Sequence, residues 1–115
     1  MIITLPYPPS VWNLYTGFGI GRRLSPTYLK WRQSCGAYVM AAGFKSKDQI
    51  TTPFECVIKL KRQNKRQDLD NRAKSVIDTL QFYGVISNDN LLDHLTMHWD
   101  TEITDECVVE LRSKQ

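Results

Sequence analysis

The chain has 115 residues, 42% of them hydrophobic, with a formal charge of +3; that length supports one core, expected over residues 1–115 as a single domain, and that composition excludes a disordered chain. No apolar run approaches the ~20 residues needed to span a bilayer, and Met1-Ile2-Ile3-Thr4-Leu5-Pro6 lacks the basic region and long apolar segment of a signal peptide. Cys35, Cys56 and Cys107 are odd in number and form no Cys-x-x-Cys pair, so they read as reduced, buried thiols of a cytoplasmic protein.

Residues 1–5 read as a short strand ended by Pro6-Tyr7-Pro8-Pro9-Ser10, because proline supplies no ladder donor. Residues 10–25 hold no periodic apolar pattern and contain Gly17, Gly19 and Gly21 before Arg22-Arg23, which predicts a flexible basic loop. Ser25-Pro26 suits an N-cap and first helical position. Apolar and aromatic residues from Tyr28 to Ala42 then recur at three- and four-residue intervals, predicting a helix over 26–43 ended near Gly43.

Phe54, Cys56, Ile58 and Leu60 alternate with Glu55, Lys59 and Lys61, predicting a half-buried strand over 53–62 with a basic outer face. Asn64 to Gln67 is a polar turn. Residues 70–83 predict a helix with Asp70 as N-cap, a stripe of Ala73, Val76, Ile77, Leu80 and Tyr83, and Gly84 as the stop. Leu91, Leu95, Met97 and Trp99 alternate as a strand, and Cys107 to Leu111 make the last one. The expected fold is α+β, a mixed sheet with two helices in the order β-α-β-α-β-β.

Charge is unevenly distributed. From Lys59 to Lys74 seven bases face two acids, whereas Asp78 to Glu110 holds eight acids and no Lys or Arg. The basic side should attract polyanions. Within it stand Asp68 and Asp70, with Lys74 one turn on and Asp89 beyond the helix end. Carboxylates held inside a positive field are a costly surface, but they suit a divalent cation beside a phosphate. On a helix Asp70, Lys74 and Asp78 climb one edge, next to the apolar stripe. Whether Asp89 returns to Asp68 and Asp70 is not encoded in the spacing. Lys74 would contact the scissile phosphate or the leaving group. Each residue also has a plain structural use: Asp70 as a cap, Lys74 with Asp78 as a surface pair, Asp89 as a turn residue.

Asp68-Leu69-Asp70-Asn71-Arg72-Ala73-Lys74-Ser75-Val76-Ile77-Asp78-Thr79-Leu80, followed by Gly84-Val85-Ile86-Ser87-Asn88-Asp89, resembles the RusA family of Holliday junction resolvases of bacteria and phages. Leu5-Pro6-Tyr7-Pro8-Pro9-Ser10 is similar to the family's opening strand and turn. The resemblance implies a homodimeric endonuclease that uses Mg²⁺, with Mn²⁺ as substitute, to nick four-way DNA junctions symmetrically. It places the essential metal-binding carboxylates on Asp68, Asp70 and Asp89 and the catalytic lysine on Lys74. Two departures stand out: Asn88 where members often carry an acid, and Gln67 where a base is frequent.

Arg22, Arg23, Lys59, Lys61, Arg62, Lys65, Arg66 and Arg72 are the candidate DNA contacts. Arg22 and Arg23 suit either a mobile arm on the DNA backbone or a passive loop. Trp12 and Tyr15 suit core packing or stacking on unpaired bases. The helix at 26–43 and the segment 82–87 are the candidate dimer surfaces. His94 and His98 would share the solvent face of a strand, well separated, and a zinc site there would need Cys107 and one more ligand. Two rivals remain open: a non-catalytic DNA-binding protein, and a RusA-like nuclease on another branched DNA. No membrane partner is implied.

Overall fold

The computed structural model describes residues 1–10, 13–17, 22–63 and 68–114, so the expectations placed on Trp12, Gly19, Gly21, Lys65, Arg66 and Gln67 lie outside the described residues. Eight elements follow in chain order: β1 (Ile2–Leu5), β2 (Tyr15–Thr16), β3 (Arg23–Leu24), α1 (Pro26–Ala41), β4 (Phe54–Leu60), α2 (Ala73–Phe82), β5 (Leu92–Trp99) and β6 (Cys107–Ser113). The expected order holds, with one addition. Inside the segment read as a basic loop, β2 and β3 form a small antiparallel hairpin, Tyr15 opposite Leu24 and Thr16 opposite Arg23. Two residues per strand are too few to leave a period in the sequence.

The main sheet runs β1-β6-β4-β5. β4 and β5 are parallel and joined through α2, whereas β6 is antiparallel to both β1 and β4. The period-two pattern of β4 decides which face is covered. Phe54, Cys56, Ile58 and Leu60 are all fully buried, and the Phe, Ile and Leu side chains each contribute about 1.5–3 kcal/mol by leaving water. Tyr28, Trp31, Cys35 and Val39 of α1 join them in one core with Val76, Ile77 and Leu80 of α2. The other face of the sheet is not uniformly basic. Lys59 pairs with Glu110 at 3.4 Å, and Glu55 with Lys114 at 3.7 Å. Leu95 is 40% exposed, whereas Met97 and Trp99, on the same alternation of β5, are half-buried.

Both helix boundaries have local causes. The Ser25 hydroxyl accepts from the Tyr28 N–H at 3.0 Å and Pro26 occupies the first turn, as the sequence predicts. α2 begins later than expected. Asp70–Arg72 is wound as a 3-10 turn, the α-helix starts at Ala73, and no side-chain cap bond closes either start. Asp70 is therefore not the N-cap. At the other end Gly84 has φ +74°, a backbone conformation that glycine adopts without strain. Where the helices meet, a Cβ on Gly36 would lie 3.0 Å from the Tyr83 hydroxyl, so the bare backbone of α1 makes room for that ring. Among the described residues, no helix is long and apolar enough to cross a membrane.

Candidate functional site

The start of α2 is anchored to the N-terminal proline turn. Proline lacks an N–H but keeps its carbonyl, and two such carbonyls are used: Arg72 Nη1 donates to Pro8 O at 2.8 Å and Ser75 Oγ donates to Pro9 O at 2.9 Å. The Arg72 guanidinium also lies 5.1 Å from the Tyr7 ring centroid. These bonds fix the turn that carries the two leading acids. Asp68 and Asp70 are both exposed. Asp68 Oδ2 accepts from the Asn71 side-chain amide at 3.1 Å, which gives Asn71 a use beyond being the neighbour of Asp70.

Lys74 Nζ stands 3.4 Å from Asp78 Oδ2, one turn further along the same helix edge, with both side chains partly open to solvent. Asp89 arrives by a route that begins far away in sequence. After Gly84, Val85 and Ile86 are fully buried, and Ile86 forms a parallel bridge with Ile50. Ile50 N–H donates to Val85 O and Ser87 N–H donates to Ile50 O, each at 2.9 Å. The chain then turns, the Asn88 side chain accepting from Asn90 N–H at 3.0 Å, so Asn88 serves as a cap here. Asp89 N–H finally donates to Gln81 Oε1 at 2.8 Å.

Asp89 thus returns to the last turn of α2, not to its first. Asp78 and Asp89 line one concavity of about 310 Å³ together with Leu24, Tyr28, Arg32, Gln81 and Phe82. The ten residues of α2 extend about 15 Å at the helical rise, and Asp68 and Asp70 lie before its start. Among the described residues, no three His, Cys, Asp or Glu side chains stand together as a ligand group. The structure therefore distributes the acids along one edge of α2: Asp68 and Asp70 before it, Asp78 with Lys74 upon it, and Asp89 at its end. A second depression, of about 650 Å³, includes Met1, Ile2, Glu55 and Glu110 in its lining and contains none of these acids.

The candidate DNA contacts divide by location. Arg22 is exposed, with its guanidinium 4.1 Å from the Tyr15 ring centroid, and Arg23 is exposed beside it in β3. Tyr15 is half-buried and packs against the core. Lys61 is exposed at the end of β4, and the Arg62 guanidinium lies 5.2 Å from the Trp99 ring centroid. Lys59 sits on the sheet face that carries Glu110. Arg72 is engaged within the protein, as described. His94 and His98 are exposed whereas Cys107 is fully buried, so these three face different environments.

Sequence reasoning passed over Gln81 and treated Asp78 only as a surface partner of Lys74. Their signal was available as helical spacing: Lys74, Asp78 and Gln81 follow at intervals of four and three. Arg32 and Phe82 fall within the two candidate dimer surfaces, the helix at 26–43 and the segment 82–87, but their partnership across two helices leaves no linear trace.

The family model for endodeoxyribonuclease RusA matches residues 6–112. The chain belongs to the RusA family. The match spans the proline turn, both helices and every acid named above, and so extends well beyond the central motif. The protein is accordingly an endodeoxyribonuclease. Among individually curated proteins, none matches the sequence.

Proposed function

We propose that this RusA protein is a Mg²⁺-dependent endonuclease that acts as a homodimer on four-way DNA junctions in the cytoplasm, with Asp68, Asp70 and Asp89 as metal ligands and Lys74 as the catalytic lysine that contacts the scissile phosphate or the leaving group. The observation that carries this reading is the release of Asp70 from capping. Among the described residues the Asp70 carboxylate closes no helix turn, and it stands exposed two residues from a second exposed acid.

The donors suit a hard cation, being carboxylate oxygens open to solvent. Mg²⁺ keeps several waters and is commonly held by one or two carboxylates together with substrate phosphate, so Asp68 and Asp70 would suffice at the start of α2, and Asp89, at the far end of that helix, would reach an ion only in the assembled complex. A bound divalent cation would activate water and neutralise charge on the scissile phosphate. The chain's own contribution is positional. The proline turn fixes the leading acids, Gln81 fixes Asp89, and Asp78 holds the Lys74 ammonium on the helix edge. There Lys74 would offset charge on the phosphate or the leaving oxygen.

Two nicks on opposite strands need two sites, and a two-fold dimer presents sites related as the target strands are. Arg22, Arg23, Lys61, Arg62, Lys65 and Arg66 would hold phosphates. The substrate is tested by incubating the protein and Mg²⁺ with a labelled immobile four-way junction, a replication-fork structure and a linear duplex of the same sequence. Paired, symmetric nicks confined to the junction are expected. Preferential cutting of the fork would assign the protein another branched substrate, and no cutting of any would reject the nuclease reading.

A further inference from the structure

The register sets four residues in one row at one end of the main sheet: Leu5, Cys107, Leu60 and Trp99, in the strand order β1-β6-β4-β5. Two strands run from this row towards the leading acids. β1 enters the proline turn that binds Arg72 and Ser75, and β4 continues through Lys61 and Arg62 to Asp68, six residues beyond Arg62. The backbone is pinned where β4 ends, because Asp100 N–H donates to Leu60 O at 2.9 Å and Lys61 N–H to Glu106 O at 3.0 Å. Arg62 then lies exposed, its guanidinium 5.2 Å from the Trp99 ring centroid. Trp99 itself is half-buried and packs against the core. Burial pushes the Tyr7 phenol up, and Arg72 and Arg62 both oppose that rise, which puts the two cations around one hydroxyl. Arg72 follows Asp70 by two residues. Arg62 and Trp99 therefore stand at the same end of the molecule as the leading acids.

We propose that Trp99 is a positioning residue for DNA, its ring holding the Arg62 guanidinium in place to meet a backbone phosphate of the strand that reaches the leading acids. The proposal rests on the nuclease reading and names what orients one of its phosphate contacts. A cation within about 6 Å of a ring centroid is attracted by the ring quadrupole, and tryptophan is the strongest such partner. Arginine, unlike lysine, lies on a ring and still presents a planar fork of N–H donors that fits a phosphate. Immobilising a long side chain on binding costs conformational freedom, and one already ordered by a ring has less to lose. With Arg62 over the ring, that face of Trp99 is not open to stack on a base, so the residue acts through the cation. The core contact beneath keeps the ring fixed while the exposed guanidinium faces solvent.

The test measures four-way junction affinity without metal across a salt series, with nicking in Mg²⁺ scored on parallel samples. Arg62→Gln should bind less tightly and flatten the slope of log affinity against log salt by about 0.9, the value of one lost phosphate contact. Trp99→Leu should weaken binding roughly two- to fivefold, as loss of one exposed cation–π contact implies, with the slope unchanged. Trp99→Phe keeps a ring face and should stay near wild type. In the Arg62→Gln background, Trp99→Leu should cost nothing further. Wild-type affinity in Trp99→Leu with nicking intact would overturn the positioning role and spare the nuclease reading. Equal losses from Trp99→Leu with and without Arg62 would also overturn it, because the ring would then serve the fold or touch the DNA directly. Trp99→Met, which fills the space flexibly without a ring, replaces Trp99→Leu if that variant does not fold, and an unchanged slope in Arg62→Gln overturns the proposal in either case. The expected affinity pattern without any nicking would support the positioning role and reject the nuclease reading alone.

Discussion

The backbone N–H of Asp89 donates to the side-chain carbonyl of Gln81 over 2.8 Å, which ties the acid that follows α2 to the last turn of that helix. Replacing Gln81 with Leu removes the acceptor and leaves the 3-10 turn at Asp89–Leu91 less fixed. A hydrogen bond of this kind contributes about 1 kcal/mol, so cleavage at limiting Mg²⁺ should fall roughly fivefold and recover with excess metal. Gln81→Glu keeps an acceptor and should stay near wild type. Rates measured across a metal titration decide it, and equal loss at all metal concentrations would contradict the tether.

Arg72 offers a contrast between a DNA contact and a brace. Its guanidinium donates to Pro8 O and lies over the Tyr7 ring. Arg72→Lys loses the planar fork that reaches both groups, and the expected cost is about 2 kcal/mol of folding stability. The urea midpoint should drop with junction affinity per folded molecule little changed. An unshifted midpoint with weakened binding would show that Arg72 serves the DNA instead.

Burial pushes the thiols of Cys35, Cys56 and Cys107 up to about 12, Cys107 also raised by its two neighbouring cysteines. Native thiols should therefore resist an aromatic disulfide reagent at pH 8, and all three should react on unfolding. The sign for stability follows from raised folded values. The contribution is fully present below the ordinary value of 9.0 and is lost as pH rises from there towards 12. Denaturant midpoints should accordingly decline above pH 9, and a flat profile across that window would contradict the burial.

Lys74 stands 3.4 Å from Asp78 on the exposed edge of α2. Such an exposed i, i+4 pair contributes only about 0.3–0.5 kcal/mol to stability, so Lys74→Ala should fold normally. If Lys74 meets charge that develops during cleavage, single-turnover nicking should slow on the order of 100-fold while junction affinity falls far less. Parallel losses in rate and affinity would make it a simple phosphate anchor.

Local signals in the sequence were legible where the cause was local. Ser25-Pro26 announced α1, Gly84 announced the end of α2, and the alternation at Phe54, Cys56, Ile58 and Leu60 announced the buried face of β4. Long-range causes were not legible. Asp89 is delivered to Gln81 by a bridge between Ile50 and Ile86, and no spacing rule contains that contact. Asp70 looked like a cap because caps are common at that type of position; the 3-10 turn at Asp70–Arg72 shifts the helix start to Ala73 and leaves its carboxylate unused in capping. Family membership was legible because its residues are contiguous in the central motif.

The central claim is that the leading acids serve a metal and not the fold. Wild-type protein and Asp70→Asn should be mixed with a labelled immobile four-way junction, with and without Mg²⁺, and scored for paired nicks and for binding on the same samples. The account predicts metal-dependent symmetric nicking by wild type, none by Asp70→Asn, and junction binding by the variant equal to or tighter than wild type, since a charge that repels phosphate is gone. Asp70→Asn that still nicks, or that loses binding together with cleavage, would contradict it.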